Sequence, residues 1–171
     1  MTLKEALESW DGKSAADIEA IYADHAESHN FVTQLIKYSA NESLQAGATW
    51  LLKHHIESQH LPSQTQTTRF LLLPEKLVDW QARLHFLQCL PHLSLVNADE
   101  VIMAAFLRDC LGSHNKFLRA WAYSGFHLLA QHYSQYEEEA QHLLQQAIKE
   151  EAPSVKARVR NLLKDSKHSR S

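Results

Sequence analysis

The 171-residue chain holds 12 histidines and 13 glutamates, so metal chemistry is the first question its side chains raise. His25 and His29 are four apart, the step that puts two imidazoles on one helix face, with Asp24 and Glu27 beside them. Glu57 with His60, and Glu139 with His142, have the three-residue step of carboxylate-bridged di-iron bundles, and Glu27 and Glu100 would be the remaining carboxylates. At this composition, however, chance alone supplies roughly one such Glu-x-x-His pair. A di-iron bundle also needs long helices whose ligands point into an apolar interior, whereas Glu57 and His60 fall just before Pro62, at a helix end. The histidines are therefore expected at the surface, and no metal or other cofactor is expected.

Nucleophilic and phosphate-transfer chemistry find no foothold either. Four glycines, at 12, 47, 112 and 125, build no phosphate-cradling loop, and neither a Gly-x-Ser-x-Gly elbow nor a Cys-x-x-Cys pair occurs. Cys89 and Cys110 lie on apolar helix faces, where a thiol is commonly buried and inert. Two cysteines make no disulfide framework and suit a reducing, cytoplasmic setting. Residues 1–10 carry Glu5 and Glu8 and lack the apolar core of a secretory signal. No apolar run approaches the ~20 residues that span a bilayer, so no membrane association is expected. A net charge of −3 argues against dense packing on nucleic acid.

The elements that would position any site are helices almost throughout, because apolar residues recur at three- and four-residue steps. Four glycines and four prolines are too few for a turn-rich β-fold. Thr2 with Glu5, and Ser14 with Asp17, have capping spacing, and Asp11-Gly12 closes the first helix. Further helices are expected from about Phe31 to Ser39, from an Asn41 cap to about Ser58, and, briefly, within Ser63–Leu73. Pro74 is expected to start a helix running to Leu90 and ended by Pro91; Asn97 with Glu100 opens one that ends near Cys110. The last three span about His114–His132, Ser134–Lys149 and Pro153–Lys164. One domain covers 1–171: capping helices over 1–29, about four helical hairpins over 30–165, and a flexible basic tail at 166–171.

Internal repetition carries the most information. In the helices near Asn41, Pro74, His114 and Pro153, apolar residues fill three positions spaced by four: Leu44, Ala48, Leu52; Ala82, Phe86, Leu90; Leu118, Ala122, Phe126; Val155, Val159, Leu163. Successive sets are offset by 38, 36 and 37 residues. The residue after each first position is Gln45, Arg83, Arg119 or Lys156. A period near 37 with one partner helix per interval suits stacked helical hairpins.

These residues resemble the HEAT repeats, whose second helix carries an apolar, a basic and then a small residue. Pro153-Ser154-Val155-Lys156-Ala157-Arg158-Val159 matches best, followed by Asn115-Lys116-Phe117-Leu118-Arg119-Ala120-Trp121-Ala122. Phe86, in place of a small residue, and Gln45, in place of a basic one, depart from the pattern. Over roughly Phe31 to Lys164 the resemblance implies an all-α fold, an α-solenoid (α-α superhelix) with its second helices lining a concave side, and a macromolecular partner.

At about 100° per residue, the face opposite the apolar stripe carries a row of mostly small residues, Ala46, Leu84, Ala120 and Ala157. Beside it run Trp50, Gln88, Ser124 and Asn161, then Lys53, Pro91, His127 and Lys164. These rows hold no acid, so a non-enzymatic module binding an acidic protein or peptide is the leading expectation. The candidate partner-binding residues are Trp50, Lys53, Glu57, Gln88, Ser124, His127, Asn161 and Lys164, with Trp50 as anchor. Trp80 and Trp121, beside the stripe, are expected in the core or between repeats, and Trp10 over the exposed end of the first hairpin. A nucleic-acid reading stands as the alternative. Some DNA glycosylases use HEAT-like repeats with a carboxylate near tryptophans, and Glu57 is the one acid placed to serve. A metal-binding helical protein is the third reading.

Overall fold

A computed structural model describes residues 1–168. Ten α-helices make up the fold, and no strand occurs among the described residues. The chain divides into two compact units, Met1–Ser94 and a second that begins at Leu95.

The first unit holds α1 (Leu3–Ser9), α2 (Ala15–His25), α3 (Phe31–Ser39), α4 (Gln45–Glu57), α5 (Gln64–Phe70) and α6 (Trp80–Cys89). The second holds α7 (Glu100–Leu111), α8 (Lys116–His132), α9 (Glu137–Glu150) and α10 (Pro153–His168). In the first unit α3 packs on α4, and α4 on α6; in the second α7 packs on α8, and α8 on α10. Each unit therefore brings two of the period-related helices side by side. Eleven of the twelve stripe residues are buried, and the twelfth, Leu163, is half-buried against the core built by Tyr123, Leu144, Val155 and Val159. Burying that stripe is the main apolar gain open to these helices.

Local signals set several helix starts as expected. Thr2 and Glu5 form a reciprocal capping box, and Ser14 accepts from the Asp17 N–H; a second box, Ser63 with Gln66, was not foreseen. Four starts differ. Asn41 spends its side chain on Ser43, whose N–H it accepts at 3.0 Å, and α4 begins only after Leu44. Pro74 sits in a 3-10 turn, Leu73–Lys76; Asp79 instead caps α6 by accepting from Gln81 and Ala82. Asp99, not Asn97, caps α7, and Ser134 opens a 3-10 turn from which α9 continues without a side-chain cap. Ser166, expected to start a flexible tail, lies inside α10; residues 169–171 fall outside the described residues.

The position after the first stripe residue joins separate segments of the chain in both units. Buried Gln45 accepts the Val78 and Asp79 N–H groups, each at 2.8 Å, and donates to the Lys76 carbonyl at 3.2 Å. By engaging 76–79, it holds the turn that ends the Pro74 segment and sets the Asp79 cap. Arg119 occupies the same register position in the second unit. Its guanidinium bonds the Ser113 and His114 carbonyls and makes a two-pronged pair with Glu151, which lies just ahead of α10.

Trp10 covers α4, as expected of the first hairpin's end. Its indole N–H donates to the Ser14 carbonyl at 2.8 Å, and with Leu7 it lies against Gly47, where an added Cβ would come within 3.1 Å of the indole.

Candidate functional site

In the first unit α4 and α6 carry Trp50, Lys53, Glu57 and Gln88. Trp50 is half-buried and stacks on His54, ring centroids 5.1 Å apart and planes within 9°. His54 in turn meets Tyr22 edge-on at 4.5 Å, and the Tyr22 hydroxyl lies 2.9 Å from Nδ1 of His55. His60 stacks on His55 at 4.8 Å. The expected anchor is thus one end of an aromatic and imidazole row that runs from α4 to α2. Lys53 and Glu57 pair with each other at 2.9 Å, so the free cation and the free carboxylate foreseen there neutralise one another. Gln88 is half-buried on α6.

Not all the histidines are at the surface. His85, on α6, is turned into the contact with α4, where Nδ1 lies 3.0 Å from the Thr49 hydroxyl. That hydroxyl donates to the Gln45 carbonyl at 2.6 Å, so Nδ1 carries the proton and donates to Thr49. Burial, with the charge of Lys53 adding to it, depresses His85 to about 4. Burial also lowers His55, and His60 and His54 push the same way. Cys89 and Cys110 are buried, and burial drives the Cys89 thiol far above its ordinary range.

The metal spacings do not survive folding. Helix α2 ends at His25, leaving His29 exposed in the following turn. Glu57 ends α4, and the chain turns through Gln59, φ +67°, before His60. Glu139 is held by Arg108 in a fork with both distances 2.7 Å. Among the described residues no three His, Cys, Asp or Glu side chains converge on one point.

In the second unit the expected residues are Ser124, His127, Asn161 and Lys164. Ser124 is buried at 4% exposure, not presented to solvent, because Arg158 of α10 covers it. The Arg158 guanidinium lies 3.7 Å from the Trp121 ring centroid and donates from Nη1 to Ser124 Oγ at 3.1 Å. His127 is half-buried, its Nε2 3.2 Å from Gln131 Nε2 and 3.3 Å from Ser166 Oγ; burial lowers its pKa, with Asp165 opposing. Asn161 and Lys164 are exposed. Asn161, Arg158, Ser154, Leu162 and Asp165 line an open cleft of about 390 Å³.

Arg158 and Trp121 were not among the expected binding residues, although a signal for them existed. Both are third after a first stripe residue and stand 37 apart, so the period that fixed the stripe also placed them opposite each other. Trp121 lies between α8 and α10, under Arg158, but Trp80 is not packed away: it precedes the stripe at the exposed end of α6 and is 50% exposed.

Among the described residues no helix is long and apolar enough to cross a membrane. Comparison with protein-family models, with curated proteins and with solved structures found no match to this chain.

Proposed function

We propose that the chain is a non-enzymatic, HEAT-like interaction module whose second helices hold an acidic segment of a protein partner. The observation that carries this reading is a separation of charge. Through Ser166, helices α4, α6, α8 and α10 contain eight basic residues and two acidic ones, Glu57 and Asp165, on a chain whose totals are 17 and 20. The remaining acid lies outside these four helices, most densely at Glu137, Glu138 and Glu139 of α9. Basic residues gathered on these helices of an acidic molecule favour acidic partners there over the rest of the surface. On this reading the hairpins repeat as a HEAT-like solenoid, and the module works in the cytosol without a cofactor.

Zero-length carbodiimide cross-linking of the complex copurified from native cells, read by mass spectrometry, tests it. Links from partner carboxylates should concentrate on Lys53, Lys116, Lys156 and Lys164. Trp50→Ala with Lys53→Glu should weaken partner retention. Links confined to Lys4, Lys13, Lys37 and Lys149 would place the partner elsewhere and defeat the reading. A duplex DNA bound with steep salt dependence, in the absence of any protein complex, would favour the nucleic-acid alternative instead.

A further inference from the structure

The second unit contains three arginines with defined side-chain partners, and two of them are matched to carboxylates. Arg108 closes a fork on Glu139, with both distances 2.7 Å, and Arg119 closes one on Glu151 at 2.9 and 3.2 Å. Arg158 is the third. It is half-buried, its Cζ lies over the Trp121 ring 3.7 Å from the centroid, and one Nη1 bond to Ser124 is its only hydrogen bond among the described residues. A guanidinium offers five N–H donors in a fork shaped for a carboxylate, so most of its donor capacity is unspent.

A charge drawn partly out of water is ordinarily matched by an opposite one. Among the described residues an aromatic plate and a hydroxyl orient the guanidinium, but no anion pairs with it. Asp165 lines the same cleft without pairing to Arg158, and Asn161 and Ser154 border it with neutral polar groups. Lys156, Arg160 and Lys164 on the same helix add to the positive field.

We propose that Arg158, set over Trp121 and pinned by Ser124, is the docking point for a glutamate or aspartate carboxylate from the acidic partner segment. This rests on the reading above and deepens it, naming the contact that fixes the segment's register. The incoming carboxylate would complete on Arg158 the fork that Glu139 and Glu151 complete on its neighbours. Asp165 sets a bias at the cleft's edge, favouring a segment that brings its carboxylate to the guanidinium and a neutral residue beside it.

The test is a two-dimensional NMR titration of the full chain with a capped peptide of alternating glutamate and alanine. The Arg158 Nε–H and the Trp121 indole N–H should shift together and saturate, while a peptide of alternating lysine and alanine should move neither. Arg158→Lys, which keeps the charge but loses the fork and the planar guanidinium, should weaken the glutamate peptide about tenfold. Lys149→Gln on α9, which removes an equal charge elsewhere, should leave its affinity unchanged. If the peptide binds with shifts away from Arg158, or binds Arg158→Lys as tightly as the natural chain, the docking point is refuted while the wider reading stands. If the glutamate peptide does not bind at all, the docking point falls, and the cross-links decide the wider reading separately. Should Arg158→Lys fail to fold, the shifts in the natural chain still decide.

Discussion

Arg119 and Glu151 meet in a fork, Nε to Oε1 at 2.9 Å and Nη2 to Oε2 at 3.2 Å, that ties the start of α8 to the turn ahead of α10. Burial works to raise the Glu151 carboxyl, yet bonds from Arg119, from the Ala152 N–H and from Tyr123 outweigh it and hold the group below its ordinary value. The two side chains are 21% and 12% exposed, so solvent screens the pair little. Arg119→Ala strands the carboxylate and should cost about 2 kcal/mol. Gln45→Leu strands the Val78 and Asp79 N–H groups in the first unit and should cost a similar ~2 kcal/mol. Urea unfolding at neutral pH measures both; a midpoint unmoved in either variant means that joint carries no weight.

Acid should weaken the fold through its half-buried imidazoles. His85 is held near 4 in the folded chain, against about 6.5 when unfolded. Between those values the unfolded chain binds a proton that the folded one refuses. The stability is therefore complete above about pH 6.5 and is lost as pH falls toward 4, by at most ~1.4 kcal/mol per pH unit for this one group. His55 and His127, lowered by burial as well, contribute with the same sign. His85→Asn keeps a donor for Thr49 and should flatten the loss between neutral pH and pH 5. Equal pH slopes for the two proteins would assign the effect to other groups.

Gln59 is the only non-glycine residue described with a positive φ, at +67°, and it follows the Ser58 cap of α4. A Cβ is strained in that left-handed conformation, and glycine relieves the strain at this helix-terminating position. Gln59→Gly should stabilise the protein by roughly 0.5–1 kcal/mol, net of glycine's extra freedom when unfolded. A lowered melting temperature would contradict the assignment.

Gly47 lets the N-terminal helices approach α4. A Cβ there would lie 2.9 Å from Leu7 Cδ2 and 3.1 Å from Trp10 Cε3. Gly47→Val adds two methyl groups where one carbon already crowds, and should cost about 2 kcal/mol. Trp10 fluorescence would shift toward that of an exposed indole, because the indole must leave its seat; an unchanged spectrum with unchanged stability would refute this.

How far the sequence could be read follows from how local each determinant is. The stripe from Leu44 to Leu163 was legible because burial demands apolar residues at fixed steps, and folding hides all but its last turn. Thr2 and Ser14 were legible because a cap needs only a partner three residues ahead. Pro74 misled because the chain at 76–79 is held by Gln45, more than thirty residues earlier, and no local rule contains that bond. Asn97 and Asp99 compete within three residues, and only the backbone chooses between them. In the candidate site, the positions of Trp50, Lys53 and His127 followed from helical geometry. The Lys53–Glu57 neutralisation and the Arg158–Trp121 stack depend on side-chain direction, which the period alone does not give.

The chain's two cysteines fall one to each compact unit, Cys89 in the first and Cys110 in the second, and both are sealed from water. A thiol-directed reagent can reach either sulfur only when the helices around it part. Nature has thereby installed a separate chemical stopwatch in each half of the molecule: the labelling rate of each cysteine, resolved by peptide mass, reports how often its own half breathes, with no engineered probe.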